Sequence, residues 1–589
     1  MLRRKHELFQ QSIRDFTKFF HTHWTSPSGT EMASDPPRNV VIVGGVAGGM
    51  SAATRARRLD EHCSITVFER GPYVSYANCG IPYALGGVIK SDAALVLQTP
   101  QALKDRFNIN VRANTEVLSI NRMKRTVEVK SAGSETVETV PYDRLILAMG
   151  AEPFRPPIEG IDSPNVFMLQ TIPDLQKIRA FQVEHNCKQV AIIGGGFIGL
   201  EVADSLRELG LEISIIEYAP HVFPPLDADM AEPLHTEIRR NNVKLFLNAR
   251  IQSIEAPKDG TRGCVKLEDG QSVQSDLVLV MVGIRARTKI AEEAGLKIGK
   301  TGVSVNHHLQ TSDHNIYAVG DMVETENRIV GHPMQLALAG PANRQGRLAA
   351  DNIFGRKVAY RGNVGTSACK VFDLTVASVG LSVRALKQMG LDPSWVTVHP
   401  PDHAGYYPGS HAITLKLAFE KKTGRILGAQ AIGTSGVDKR IDVLATAMQA
   451  GLTVFDLEHL ELAYAPPYGS AKDPVNMAGF VASNVLRGDV EIVHPEYLKN
   501  EPADVQILDV RSPSEYSGGH LDKALNIPLN DVRDNLAKLD KGRRIMVYCG
   551  VGYRGYVAYR ILKQLGYEVV NLDGGYKSVV QGGYAGVQK

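Results

Sequence analysis

The chain has 589 residues, of which 43% are hydrophobic and 22% are charged, and its formal net charge is +3. This length is too great for one hydrophobic core and indicates roughly three to five domains. The near-neutral charge gives no sign of a nucleic acid or an anionic membrane as partner. Apolar runs such as residues 277–284 are far shorter than the roughly 20 residues of a membrane-spanning helix. Six cysteines without paired spacing favour a reducing, cytoplasmic location.

Residues 1–38 place Phe9, Ile13, Phe16 and Phe20 on one face of a potential helix. No continuous apolar segment typical of a signal peptide follows them. We interpret these residues as an accessory tail. A true start at Met32 and an organelle-targeting helix are the alternatives.

A strand, a glycine-rich turn, a helix and a second strand follow at residues 39–70. The turn satisfies the Gly-x-Gly-x-x-Gly pattern only loosely, because Val46 stands at the second glycine position. Glycines let the backbone approach a pyrophosphate at the helix N-terminus, and the acidic Glu69 ends the second strand where it can bind a ribose. We therefore predict a dinucleotide site here. Its residues are Gly44, Ala47, Gly48, Gly49, Glu69 and Arg70.

The same arrangement recurs at residues 189–218, and its turn matches the pattern fully. The acidic Glu217 ends the second strand, where it is expected to bind the 2′-hydroxyl of NADH and to repel the 2′-phosphate of NADPH. NADPH stays possible because Arg207 and His221 are close in the sequence. The predicted residues of this site are Gly194, Gly196, Phe197, Ile198, Gly199 and Glu217.

Two dinucleotide sites in one chain suggest one nucleotide that stays bound and one that exchanges. Residues 145–151 and 316–321 resemble the segments that complete the FAD site in flavoproteins with two dinucleotide-binding folds. This resemblance implies that Asp321 binds the ribityl chain of FAD, and that Ala148 and Gly150 line the same site.

Cys79 precedes a predicted helix start, where the helix dipole is expected to lower the pKa of its thiol. It also follows the first glycine turn at the spacing from which disulfide-reducing flavoenzymes attack. An inert, buried cysteine is the alternative for an isolated thiol.

Residues 75–83 closely resemble the single-cysteine active site of the coenzyme A-disulfide reductase family, and the likeness extends over residues 39–485. Further matches lie at residues 403–409, 436–443 and 462–474. The resemblance implies a homodimer in which the third domain lends Tyr406 and Tyr464 to the active site of the partner.

The same resemblance implies a coenzyme A site formed by Ser51, Arg55, Arg58, Ser75, Asn78 and Lys472. Arg55 and Arg58 lie three residues apart on one face of the first helix, where they can bind phosphate groups. A solvated helix face rich in arginine is the alternative.

The C-terminal residues 506–516, 519–521, 524–529 and 545–555 resemble a rhodanese domain. Cys549 follows a strand and begins a loop whose N–H groups are expected to stabilise a thiolate or a persulfide, with Arg554 as a charged contact. The loop has one residue fewer than the phosphate-binding loop of phosphatases, which favours sulfur as its cargo. An inactive rhodanese domain used for binding is the alternative.

We therefore predict an α/β protein with FAD- and NAD-binding Rossmann-like domains, an α+β dimerisation domain and a C-terminal α/β rhodanese domain. The predicted boundaries are an accessory tail at 1–38, an FAD-binding domain at 39–153 and 286–355, an NAD-binding domain at 154–285, a dimerisation domain at 356–488, a linker at 489–503 and a rhodanese domain at 504–589.

The predicted function is FAD-dependent reduction of coenzyme A disulfide, coenzyme A persulfide or polysulfide by NAD(P)H through Cys79, with sulfur relay by Cys549. No metal site is predicted. An NADH oxidase or peroxidase that uses a cysteine sulfenic acid and a thiol redox sensor without turnover are the alternatives.

Overall fold

The computed structural model describes residues 38–258, 262–500, 504–584 and 587–588. The predicted accessory tail, residues 1–38, therefore lies outside the described residues except for Arg38. Within the described ranges, no helix has the length and apolar character needed to cross a membrane.

Two five-stranded parallel sheets form the centre of the N-terminal part of the chain. The first unit has the strand order Ile316–Ala318, Arg144–Leu147, Asn39–Val43, Ser64–Phe68 and Asn110–Arg112. The second unit has the order Lys244–Phe246, Glu212–Ile216, Gln189–Ile193, Leu277–Val280 and Val166–Phe167. The central strand of each sheet is buried almost throughout, which explains its continuous run of apolar residues.

Helices and smaller sheets surround these two units. The helices of this part are Ala47–Arg57, Ile81–Leu85, Pro100–Phe107, Ile172–Glu184, Phe197–Glu208, Ala228–Arg240, Lys289–Glu293 and Ala339–Ile353. Two antiparallel sheets contain the strands Thr115–Asn121, Thr126–Ser131 and Val137–Pro141, and the strands Ile251–Glu255, Cys264–Leu267 and Ser272–Gln274. The strands Ala151–Pro153 and Ile284–Ala286 pair with each other, and Val303–Ser304, Val323–Glu326 and Pro333–Gln335 form a third small sheet.

The third unit is a five-stranded antiparallel sheet with helices packed on it. Its strand order is Ser367–Val371, Leu374–Gly380, Ile426–Gly433, Thr414–Glu420 and Pro393–Val398. Strand Ile426–Gly433 is buried over its whole length, so both faces of the sheet are covered. The helices of this unit are Val383–Gln388, Val437–Ala450, Val454–Leu457 and Pro474–Arg487.

The fourth unit is a five-stranded parallel sheet at the C-terminus. Its strand order is Ile492–Val493, Val569–Leu572, Ile545–Tyr548, Gln506–Asp509 and Leu525–Asn526, and its helices are Pro513–Ser517, Tyr553–Gln564 and Gly575–Gln581. The short strands His520–Leu521 and Val587–Gln588 pair beside it. The predicted α/β fold class, with these four kinds of unit, is confirmed.

Part of the predicted linker 489–503 is a strand of the C-terminal sheet. Strand Ile492–Val493 within it pairs in parallel with strand Val569–Leu572 and forms the edge of the C-terminal sheet. The prolines and charges of this segment suggested a linker, but an edge strand this short leaves no strong apolar pattern in the sequence.

The fourth unit is docked on the third unit by specific hydrogen bonds. The carboxylate of Asp573 accepts the Thr397 N–H at 2.9 and 3.1 Å, and His399 Nε2 lies 2.8 Å from Ser578 Oγ. Burial lowers the pKa of His399 to about 3, with a further contribution from Lys577, so this histidine stays neutral at physiological pH. These buried contacts fix the fourth unit relative to the sheet of the third.

Lys416 joins the second unit to the third. Its Nζ lies 2.9 Å from Asp229 and 3.1 Å from Asp227, and its side chain is 4% exposed. Burial opposes its charge, but the two carboxylates hold the pKa of Lys416 above its usual value. Asp227 also accepts the side-chain amide of Gln430, which fixes the helix Ala228–Arg240 against the third sheet.

Replacing Lys416 with Ala is expected to destabilise this junction by about 3–5 kcal/mol, because Asp227 remains buried without a countercharge. Hydrogen exchange of strand Thr414–Glu420 should become faster. The control is Lys421→Ala, which breaks an exposed ion pair with Asp392 and should cost less than about 1 kcal/mol. Equal protection of the strand in both variants would contradict the assigned role of Lys416.

Candidate active site

The first glycine turn, residues 44–49, is held very close to a neighbouring strand end. A Cβ atom on Gly44 would lie 2.2 Å from the carbonyl oxygen of Ala148, and Gly44 has a φ of +106°, so only glycine fits there. The carboxylate of Glu69 accepts the N–H groups of Gly45 at 2.9 Å and Gly71 at 2.8 Å. The other predicted residues of this turn, Ala47, Gly48 and Gly49, form the N-terminus of helix Ala47–Arg57.

The second glycine turn, residues 194–199, has the same geometry. Gly194 has a φ of +108°, and a Cβ atom there would lie 2.4 Å from the carbonyl oxygen of Met281. The carboxylate of Glu217 accepts the N–H of Gly195 at 2.6 Å and of Ala219 at 2.7 Å. Helix Phe197–Glu208 begins within this turn, and of its predicted residues Phe197 packs against Phe223, Ile198 is exposed and Gly199 is buried.

The two turns have the same backbone geometry, although Val46 stands in the first turn where the pattern has its second glycine. A Cβ atom on Gly196, the matching position of the second turn, would meet nothing within 4 Å. The protein itself therefore leaves room for a side chain at this position, which explains why the loose match folds like the full one.

Asp321 lies in a 3-10 turn that follows strand Ile316–Ala318, next to the strand that leads to Ala148. Burial raises the pKa of its carboxyl, and no group in the described part of the chain donates a hydrogen bond to that carboxylate. A half-buried carboxylate without a donor fits the hydroxyl groups of a ribityl chain. Gly150, with a φ of +66° and open space around it, leaves the same region accessible. These residues fit FAD.

Arg287 is a candidate cofactor contact that the sequence did not reveal. Its guanidinium donates to the carbonyl of Met149 and to Gln170 Oε1, each at 3.1 Å. Burial lowers its pKa, and the neighbouring Arg70 lowers it further. Arg287 also lies 3.5 Å from Glu152, and together with Arg70 it supplies guanidinium groups that can donate to a pyrophosphate. Arg287 is remote from both turns in the sequence, so no local motif marks it.

The Cys79 segment, residues 75–85, is attached to the first turn and to the helix that follows the second turn. The Ser75 N–H donates to the carbonyl of Gly45 at 2.8 Å, and Ser75 has a φ of +46°, which is uncommon for a residue with a side chain. At the other end of the segment, the Tyr83 hydroxyl donates to Glu201 Oε1 at 3.0 Å. Glu201 lies on helix Phe197–Glu208, so the segment spans the first and second units.

Cys79 is exposed, whereas the other five cysteines are buried, so it is not an inert core residue. Its N–H donates to Asn78 Oδ1 at 3.1 Å. The prediction that the pKa of the Cys79 thiol is lowered is wrong for the protein groups that surround it. Partial burial raises the pKa of Cys79, and Glu201 and Asp321 raise it further. The following helix, Ile81–Leu85, has five residues and a correspondingly small dipole effect.

The predicted coenzyme A residues fall into three groups. Ser51 and Arg55 contact the neighbouring helix Ala339–Ile353, where Arg55 donates to Asp351 at 2.6 and 2.8 Å and Ser51 donates to Asn343 at 2.5 Å. Arg58 and Asn78 are exposed, and Arg58 has no side-chain partner among the described residues. Ser75 tethers the Cys79 segment, and Lys472 is exposed on the third unit.

Tyr406 and Tyr464 are brought together on the third unit. Their hydroxyl groups lie 2.9 Å apart, and both side chains are exposed. Within the described residues, no hydrogen bond joins either tyrosine to the Cys79 segment of the same chain.

The Cys549 loop, residues 549–554, connects strand Ile545–Tyr548 to helix Tyr553–Gln564. Cys549 is 1% exposed, and its Sγ accepts the Gly552 N–H at 3.2 Å. The guanidinium of Arg554 forms two hydrogen bonds with the carboxylate of Glu515, at 2.6 and 2.7 Å. Glu515 was not recognised from the sequence, where it reads as a helix-capping residue.

Comparisons with known proteins agree with this arrangement. The family model of the pyridine nucleotide-disulphide oxidoreductases matches residues 38–346, the dimerisation domain of the same family matches residues 366–473, and a rhodanese-like domain matches residues 494–581. The coenzyme A disulfide reductase of Staphylococcus haemolyticus is 35% identical over 450 residues, which are 76% of this chain and 100% of that protein.

Two solved structures cover nearly the whole chain. The reduced CoADR-RHD of Bacillus anthracis has a TM-score of 0.90 and 42% identity, covering 93% of this chain and 98% of its own. The NAD-dependent persulfide reductase of A. fulgidus has a TM-score of 0.85 and 38% identity, covering 91% of this chain and 99% of its own. The resemblances drawn from residues 75–83 and from the C-terminal motifs are thereby confirmed. The chain belongs to the pyridine nucleotide-disulphide oxidoreductase family and carries a C-terminal rhodanese-like domain.

Proposed function

We propose that this protein uses NADH to reduce coenzyme A disulfide, coenzyme A persulfide or a polysulfide at Cys79, and that Cys549 carries sulfane sulfur. The observation that carries the proposal is the exposed Cys79 thiol on a segment bonded to Gly45 of the first turn and to Glu201 beside the second. The relatives named above are a coenzyme A disulfide reductase and a persulfide reductase, and they do not favour the oxidase or sensor alternatives.

The first turn, Glu69 and Asp321 bind FAD, with Arg70 and Arg287 near its pyrophosphate. When bound, FAD supplies the two-electron path between the nicotinamide and Cys79. The chain contributes the geometry, because the close contact at Gly44 aims the N–H groups of helix Ala47–Arg57 at the pyrophosphate position.

Glu217 selects NADH at the second turn. Arg207 and His221 are the basic residues that left NADPH binding possible in the sequence analysis. Neither of them binds the Glu217 carboxylate. Arg207 donates to the carbonyls of Asn241 and Leu211, and His221 is buried with its Nδ1 on a main-chain carbonyl. An acidic group without a compensating arginine disfavours a 2′-phosphate.

Cys79 attacks the disulfide as a thiolate. The bond between Cys79 Sγ and one substrate sulfur forms, the substrate S–S bond breaks, and one thiolate leaves. Two electrons then split the mixed disulfide and release the second thiol. Partial burial, Glu201 and Asp321 raise the pKa of Cys79, so the resting thiol keeps its proton and loses it to solvent before the attack. Asn78 Oδ1, 3.7 Å from Sγ, accepts from the protonated thiol.

Tyr406 and Tyr464 protonate the leaving sulfur from a second copy of the chain, and Lys472 of that copy contacts the coenzyme A moiety. The match to the dimerisation domain over residues 366–473 supports this arrangement. The hydrogen bond to Tyr464 raises the pKa of Tyr406, which keeps the Tyr406 hydroxyl protonated and able to donate. Arg58 and Asn78 bind the substrate from the Cys79 side, together with Ser51, Arg55 and Ser75.

All six cysteines are free, and the redox cysteine is exposed. We place this protein in the cytoplasm, where thiols stay reduced.

Replacing Cys79 with Ser is expected to leave FAD bound and reducible by NADH, while turnover with coenzyme A disulfide falls to background, because the hydroxyl cannot form the mixed disulfide. The absorbance of the flavin and steady-state NADH oxidation measure the two steps. The control Cys264→Ser changes a buried thiol in a remote sheet and should keep turnover. Full activity of the Cys79 variant would exclude the mechanism.

Replacing Glu217 with Arg is expected to shift the ratio of kcat/KM for NADH over NADPH by at least roughly tenfold towards NADPH, because repulsion of the 2′-phosphate becomes attraction. The control is Glu212→Arg at the opposite end of the same strand. A preference of the unaltered enzyme for NADPH would show that Glu217 does not select the nucleotide.

Replacing Glu201 with Gln keeps an acceptor for Tyr83 and removes a negative charge near Cys79. The pKa of Cys79 should fall, so its alkylation by iodoacetamide should become several-fold faster at any pH below the original pKa and unchanged well above it. The rate is measured against pH, with Glu208→Gln on the exposed face of the same helix as control. Superimposable profiles for Glu201→Gln and the unaltered protein would contradict the electrostatic role.

A further inference from the structure

The rhodanese-like domain contains a carboxylate with a fixed position beside Cys549. Glu515 belongs to a capping box in which its Oε2 accepts the Ser512 N–H at 3.0 Å and its own N–H donates to Ser512 Oγ at 3.3 Å. Both of its carboxylate oxygens also accept from Arg554. Three independent contacts therefore hold one carboxylate against the single basic residue of the Cys549 loop.

This contact removes the net charge that Arg554 would otherwise supply. Hydrogen bonding from Arg554 lowers the pKa of Glu515 to about 2, so the carboxylate is ionised at every physiological pH. The bidentate pair is neutral as a unit, and it orients the guanidinium without adding a positive charge. Lys577, whose main chain bonds to Gly550, is partly buried, and burial lowers the pKa of its ammonium.

A buried Cys549 beside a neutral ion pair discriminates between sulfur donors by charge. Thiosulfate enters as a dianion and leaves as sulfite, so a loop without a net positive charge must accept two negative charges in the entering state. A persulfide, R–S–SH, brings at most one negative charge at its reacting end, which is one fewer than thiosulfate brings. The Gly552 N–H, 3.2 Å from Sγ, stabilises one thiolate or one persulfide anion, and Arg554 also interacts with Cys549.

We propose that Glu515 makes the Cys549 site selective for persulfide donors and against dianionic donors such as thiosulfate. This inference rests on the proposed role of Cys549 as a sulfur carrier. In the transfer, the Cys549 thiolate attacks the outer sulfur of R–S–SH, a new S–S bond forms at Sγ, and the old S–S bond breaks. The products are the Cys549 persulfide, which retains the proton, and the thiolate R–S⁻. No external oxidant or reductant is required.

The test measures the loading of Cys549 in the holoenzyme. The protein is incubated with glutathione persulfide or with thiosulfate, and mass spectrometry follows the appearance of one added sulfur on the Cys549 peptide. The unaltered protein should load much faster from glutathione persulfide. Glu515→Gln keeps the capping box, since Gln serves there as well, but leaves the guanidinium uncompensated. The rate ratio of thiosulfate to persulfide should then rise several-fold, because the pair is partly exposed and its charges are screened by solvent.

Two controls separate charge at this position from other effects. Asp522→Asn removes one exposed carboxylate from the same domain and should leave the ratio unchanged. The gain of thiosulfate loading in Glu515→Gln should decrease as salt is added, because an uncompensated guanidinium is screened. If Glu515→Gln fails to fold, the ratio of the two loading rates in the unaltered protein tests the inference.

Three results would overturn the inference. Equal loading of the unaltered protein from both donors would show that the site does not select by charge. If both loading rates fell by the same factor in Glu515→Gln, Glu515 would only position Arg554 and would not select the donor. No loading from either donor would overturn the sulfur-carrier role itself. Reduction of coenzyme A disulfide by NADH is measured separately, since its failure counts against the proposed chemistry at Cys79 and not against charge selection at Cys549.

Discussion

At both glycine turns the backbone passes so close to a neighbouring carbonyl group that no side chain fits between them. Gly44 lies against Ala148 and Gly194 against Met281. This contact fixes the start of each helix relative to its sheet, and the acidic residue at the end of the next strand is then held on the turn by two N–H groups. The position of every other candidate site residue near Cys79 depends on these two turns.

The Cys79 segment connects the turns through one hydrogen bond to the first unit and one to the second. The bond between Tyr83 and Glu201 places a carboxylate near an exposed thiol, and the charge of that carboxylate disfavours the thiolate. A thiol that keeps its proton at rest is less reactive towards oxidants, because the thiolate is the nucleophile. The same geometry thus exposes Cys79 to a substrate and restrains its reactivity.

Cys79 and Cys549, the two candidate functional cysteines, occupy opposite environments. Cys79 is exposed beside carboxylates, whereas Cys549 is buried, accepts a main-chain N–H and lies near an ion pair that is neutral as a whole. Asp573 and His399 dock the rhodanese-like domain on the antiparallel sheet. The position of Cys549 relative to that sheet is therefore set by buried hydrogen bonds, while the chemistry of the two thiols is set by the charges around them.

The sequence by itself determined the α/β fold class, the two glycine turns, the candidate redox cysteine and the rhodanese motif, because each is encoded by neighbouring residues. Only the tertiary structure decided that Arg55 binds Asp351, 296 residues away, that Glu201 bonds Tyr83, and that residues 492–493 form a sheet edge. It also reversed the expected pKa shift of Cys79. Burial and charge at a side chain come from residues distant in the chain, and no local pattern records which of them will meet.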